Sequence, residues 1–221
     1  MNTSAYVQGG SSPFDFLSFD FTAPQPTLDA DLVRQLSFVP GLKEILMLRQ
    51  VHALEHATVW VLSESKNVYP NLPAFAGAPT HLQIDNELLG GLSTDRGFYL
   101  YGEVNISDLR RAVNLALHRL TAGEWDLAVH PRCGTNVSVA MLLTAGLAVG
   151  MHLLLPRGPI EQLLGLGLAA TTAAELAPDV GSLAQRYLTT AIPFNLAIEN
   201  ITLTRDVWGR EAHFVKVHWR E

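Results

Sequence analysis

Hydrophobic and polar positions first take on a clear period between residues 41 and 64, "GLKEILMLRQVHALEHATVWVLSE". Ile45, Leu48, His52, Glu55, Val59 and Leu62 recur there at steps of three and four, with no proline or glycine after Gly41. That spacing marks one face of an α-helix and predicts a single long helix. Residues 67–80, "NVYPNLPAFAGAPT", hold three prolines and a glycine and read as a loop. "GGLSTDRGFYLYGEV" alternates glycine with aromatic residues and predicts a strand pair around Phe98–Tyr101. A second helix is expected from Ser107 in "SDLRRAVNLALHRLTAGE", with Ser107 as N-cap, Asp108 in the first turn and Gly123 just past the end. "WDLAVHPRCGTN" then reads as a short extended piece turning at Pro131 and Gly134, with Thr135 or Asn136 able to cap the helix that follows.

The pattern changes in the second half. The 24 residues between Arg132 and Arg157 contain no Asp, Glu, Lys or Arg. A bilayer core needs about 20 apolar residues in helical form, so this segment is long enough to cross one. "IEQLLGLGLAATTAAELAP" follows, apolar apart from Glu161 and Glu175, and both segments are rich in the small residues that let membrane helices approach closely. Together they predict a helical hairpin with Arg157 at its tip, followed by an amphipathic exit. "LAIENITLTRDVWGREAHFVKVHW" closes the chain with β-branched alternation and a turn at Trp208–Gly209, a second strand pair.

The fold class expected is therefore α+β, mainly helical, with short β-hairpins and a C-terminal two-helix apolar, transmembrane hairpin. Its divisions are a flexible arm over residues 1–40, an α+β domain over 41–136, the membrane hairpin over 137–178, and an exit and strand pair over 179–221 that packs on the α+β domain. The arm includes an acidic–aromatic stretch, "FDFLSFDF", suited to docking on a partner or on its own domain.

Composition agrees with membrane contact. Hydrophobic residues make up 48% of the 221 and charged residues only 16%, with a mean hydropathy of +0.17. The charged share is well below the roughly 25% usual in soluble domains. A net charge of −6 without a basic run argues against nucleic acid as a partner. The N-terminus has neither the charged start nor the apolar run of a secretory signal. Apart from Arg157, every Lys and Arg lies outside the hairpin, which predicts a multi-pass protein of the cell or an internal membrane, with both ends facing the cytoplasm. Membrane lipid is then a partner, and a membrane protein or peptide is a possible substrate.

The chemistry sits on the first helix. His52 and His56 are four residues apart and so stand on one helix face, where two imidazoles can reach one zinc ion. Glu55 lies beside them, giving the order H-x-x-E-H, in which the glutamate serves as the general base that takes a proton from the attacking water. His130 and Cys133 in "AVHPRCGTN" are the best source of a third and a fourth ligand. Asp95, Arg96 and Asp126 are candidate partners for the imidazoles, and the other histidines read as structural. Cys133 is the single cysteine, so no internal disulfide forms.

"HALEHAT" followed by "HPRCGTN" and two apolar helices resembles uncharacterised bacterial membrane proteins grouped as domains of unknown function. One group carries H-G-A-E-H and H-P-R-C-G-T segments ahead of membrane helices. Another, of cyanobacteria and related phyla, is similar along most of the chain from about Leu48. The resemblance maps His52, Glu55, His56, His130 and Cys133 onto the shared signature, and Asn136 departs from it. It implies a membrane protein with a polar site at its cytoplasmic face and brings no established activity.

Two functions compete on these grounds. One is a membrane-anchored zinc hydrolase of peptidase type. The other is a non-catalytic scaffold or assembly factor in which the Cys/His cluster staples the helix to the loop. A closed four-ligand sphere would favour the second, and an open position the first.

Overall fold

The computed structural model describes residue 25, residues 27–66 and residues 85–220. The described elements are helices α1 (Leu28–Gln35), α2 (Leu42–Lys66), α3 (Ile106–Thr121), α4 (Gly134–Leu154) and α5 (Pro159–Ala184), with strands β1 (Gly90–Thr94), β2 (Gly97–Tyr101), β3 (Leu196–Arg205) and β4 (Glu211–Trp219). The fold is α+β. The two expected strand pairs merge into one antiparallel sheet in the order β1-β2-β4-β3. The "FDFLSFDF" stretch, the proline-rich loop and His81 lie outside the described residues, and α1 is the helical part of the expected arm.

Helix α2 is the axis of the core. Val51, Leu54, Ala57, Trp60 and Leu62 are buried along it, packed with Phe98 and Leu100 of β2, Leu109, Val113 and Leu120 of α3, and Val215 of β4. The predicted stripe is only partly the core face. Ile45 is 59% exposed and Leu48 39%, and with His52, Glu55 and Val59 they line a cavity. Polar residues buried on α2 are satisfied across the fold: the Gln50 amide donates to Asn195 Oδ1 at 3.2 Å and accepts the Asn195 N–H at 3.1 Å.

Local signals placed several ends differently. Asn105, not Ser107, caps α3, its Oδ1 accepting the Ser107 N–H at 2.8 Å. Residues Trp125–Ala128 form a 3₁₀ turn where an extended piece was expected, and the chain becomes extended only at Val129. Cys133 rather than Thr135 or Asn136 caps α4, its Sγ accepting the Thr135 N–H at 3.4 Å.

Helices α4 and α5 form an antiparallel hairpin joined through Arg157, longer at both ends than residues 137–178. α5 runs on through Pro178 and ends in a π-helical turn, Gln185–Thr189. Gly165, Ala169, Ala173, Ala177 and Gly181, four residues apart, are its buried stripe. Their small side chains let α4 come close, while no residue of α4 itself is buried. Among the described residues α4 alone is long and apolar enough to cross a membrane. α5, with Glu161, Glu175 and Asp179, does not meet the same measure.

The β3–β4 hairpin closes on Asp206. Its carboxylate accepts the Tyr101 hydroxyl at 2.7 Å, the Trp208 and Arg210 N–H groups at 2.9 Å, and the Arg210 guanidinium at 2.7 Å. Burial would raise the Asp206 carboxyl, but these donors hold it down at about 2. Burial, then the bond to Asp206, pushes the Tyr101 hydroxyl up to about 12.

Candidate metal centre

A cavity of about 640 Å³ opens between α2, β1 and the base of the helical hairpin. His52, Glu55 and His56 enter it from α2, Gly90–Ser93 from β1, and Cys133 and Thr189 from the hairpin base.

His52, His56 and Cys133 place one donor atom each within 4.8 Å of one another. The His52 Nε2 to Cys133 Sγ separation is 3.3 Å, close to the roughly 3.5 Å between an N and an S ligand on one tetrahedral zinc. The far side of each imidazole is fixed. His52 Nδ1 lies 3.1 Å from the Thr189 carbonyl and His56 Nδ1 2.7 Å from the Ala128 carbonyl. A carbonyl can only accept, so both Nδ1 atoms carry the proton and both Nε2 atoms keep a lone pair for the cavity. Burial pushes the Cys133 thiol up, but His56 and the Thr135 N–H outweigh it and leave the thiol below its ordinary value. A thiolate is the form that ligates. The donor set therefore fits a zinc ion, which His52, His56 and Cys133 would hold.

The structure brings three of the four expected ligands together; His130 lines the same cavity, its ring centroid 5.6 Å from that of His56, but lies outside the cluster. Its Nδ1 accepts the Arg132 N–H at 3.3 Å, so in the neutral ring the proton sits on Nε2. Nε2 faces Asp85 Oδ1 at 3.4 Å, an ion-pair distance without hydrogen-bond alignment. Burial, with His56 nearby, lowers His130 to about 4, so it is neutral near pH 7. The ring packs against Trp60, with centroids 4.6 Å apart, and its backbone N–H donates to Gln185 Oε1 at 2.8 Å. Asp85 also holds the Arg132 guanidinium through both carboxylate oxygens. His130 thus pins the loop that presents Cys133.

Glu55 is 7% exposed, and Ser93 Oγ donates to its Oε2 at 2.5 Å. Burial raises its pKa, against the opposing pull of Ser93 and His52. A Cβ at Gly91 would overlap this carboxylate, so any larger residue there would force Glu55 to move. Sequence reasoning missed Asp85, Gly91, Ser93 and Gln185, whose roles depend on contacts across the fold; the Gly90–Gly91 pair was the single visible sign of a close approach. Of the expected partner residues, Asp95 and Arg96 form the β1–β2 turn, and Asp126 pairs with Arg186 at 2.6 Å.

The family model that matches this chain covers residues 47–201, which take in most of α2, the Cys133 loop and the whole hairpin. The chain belongs to the DUF6391 family, a domain of unknown function. It is also 52% identical over 206 residues to an uncharacterised protein of Picosynechococcus sp. (strain PCC 7002), covering 93% of this chain and 96% of that one. No solved structure matches the chain. The kinship with an uncharacterised cyanobacterial-type family is as the paired motifs implied, and family membership itself assigns no chemistry.

Proposed function

We propose that this protein is a membrane-anchored, zinc-dependent hydrolase of peptidase type. The observation that carries the reading is the meeting of His52, His56 and Cys133 within 4.8 Å in a cavity that also holds the Glu55 carboxylate. Zinc bound there would polarise a substrate carbonyl and ease the ionisation of water. Because His130 stands aside, the ligand set leaves room for substrate, which supports catalysis over a closed structural site.

Glu55 is the general base. A buried carboxylate of raised pKa accepts a proton near neutral pH better than an ordinary surface one. The water oxygen bonds to the carbonyl carbon, the C–N bond breaks, and Glu55 passes the water proton to the departing amine. Ser93 fixes the Glu55 carboxylate, and the Thr189 and Ala128 carbonyls fix the two imidazoles.

The anchor in this reading is the α4–α5 hairpin, both helices crossing together with the remainder on the cytoplasmic side. Support comes from α4, whose 21 residues span about 30 Å, the thickness of a bilayer core, and from the outward leucines of α5, such as Leu163, Leu164 and Leu168.

The first test is metal content by mass spectrometry on detergent-purified protein, wild type beside His52→Ala/His56→Ala. About one zinc per chain, lost in the double variant, is the expected result, and no stoichiometric zinc after reconstitution would refute the reading. Glu55→Gln should then keep the zinc and lose hydrolysis by roughly 10²-fold or more. A structural site would show Glu55→Gln to be silent.

A further inference from the structure

Gly90, Gly91, Leu92 and Ser93 are consecutive in β1, and all four line the cavity. Side chains of a strand alternate between faces, so four neighbours in a row mean that the strand presents its edge. β1 is the end strand of the sheet, paired to β2. Among the described residues no strand covers its outer side. Every second residue along such an edge turns its N–H and C=O outward, forming a template for one more strand.

That edge runs beside the proposed base, which packs on the strand face shared by Gly91 and Ser93. Ser93 donates to Glu55, and Gly91 lies so close that its missing side chain is what makes room for the carboxylate. From the geometry we infer that β1 is the docking edge for the substrate, an extended apolar peptide that adds to the sheet as a fifth strand and carries one of its carbonyls past Glu55 to the His52–His56–Cys133 cluster. The choice of bond to be cut rests on the hydrolase reading; the docking edge itself does not.

The cavity lining selects the peptide's character. Ile45, Leu48 and Leu188 offer apolar surface for alternate side chains of an added strand. A phospholipid is less well met. Both guanidinium groups that line the cavity are already held by other partners, Arg132 by Asp85 and Arg49 by the Tyr187 and Thr190 carbonyls, and so are not free for its phosphate.

The test uses the full-length, zinc-loaded Glu55→Gln protein in detergent, which can bind without cutting. A pool of non-repeating apolar octapeptides, fluorescein-labelled, is screened by anisotropy, and the best binder is N-methylated at each backbone nitrogen in turn. Affinity should fall about tenfold at every second position of the paired stretch and little between, the signature of main-chain pairing with a strand edge. No binding, a flat methylation profile, or displacement by a short-chain phosphatidylcholine without such a profile would overturn the inference. If the alternating profile appears but the wild-type protein leaves the peptide intact, the docking edge stands and the hydrolase reading fails.

Discussion

Single atoms decide most at Gly91. A methyl group there would meet the Glu55 carboxylate, which is itself buried and bound to Ser93. Gly91→Ala should therefore cost about 1–3 kcal/mol by overpacking and, on the proposed function, lower hydrolysis nearly as far as Glu55→Gln while leaving zinc content unchanged. Denaturation midpoints, turnover and metal analysis on the same preparation check all three. Asp206 makes a pH-dependent contribution. Its folded carboxyl sits near 2 and its unfolded one near 4, so the unfolded chain takes up the proton first. The stability it provides is whole above about pH 4 and is lost as pH falls toward 2. Denaturation midpoints measured from pH 6 to pH 2 should fall less steeply in Asp206→Asn than in wild type. At this scale the sequence showed the two histidines and the glutamate, because helix geometry alone puts residues 52, 55 and 56 together. It did not show Ser93, 38 residues from Glu55, or that a backbone N–H would use the lone pair of His130 Nδ1. Nothing local encodes such partners.

Among the elements, α2 shows what periodicity can and cannot say. The stripe through Ile45, Leu48, His52, Glu55 and Val59 is real, and it runs along the cavity rather than into the core. The opposite faces are buried too, by α3 and the sheet, so a helix enclosed on most sides carried an apolar pattern with little contrast. Boundaries were legible where turn chemistry was strong, as at Gly209 (φ +80°) in the β3–β4 turn. They slipped where a cap was unusual, as with the Cys133 sulfur. The stripe on α5 supplies the prediction for this scale. Ala173 is 1% exposed at the middle of the stripe, and Ala173→Leu should push α4 away at a cost of about 1–3 kcal/mol. That loss corresponds to a few degrees in Tm for a chain of this size, measurable in detergent, whereas Leu164→Ala on the exposed side should change little.

For the molecule as a whole, the α+β class and both strand pairs were visible in sequence alternation, but their union into one sheet was not, because pairing of β2 with β4 joins segments more than a hundred residues apart. Metal should act at this scale as a ligand of the folded state alone. Zinc at a thousand times its Kd would add about 4 kcal/mol, so a chelator should lower Tm by several degrees. Cys133→Ala should abolish that response, and His130→Ala should weaken it indirectly by loosening the loop that carries Cys133.

The helical hairpin is not a removable handle. α4 starts on Cys133, and the turn that ends α5 begins with Gln185, which grips the His130 backbone, and ends on Thr189, whose carbonyl meets His52. Excising the hairpin to make a water-soluble fragment would take the supports of the cavity with it. Protein engineering on this scaffold has to begin from the surface of the hairpin, by recolouring its outward leucines, and keep its two roots as they are.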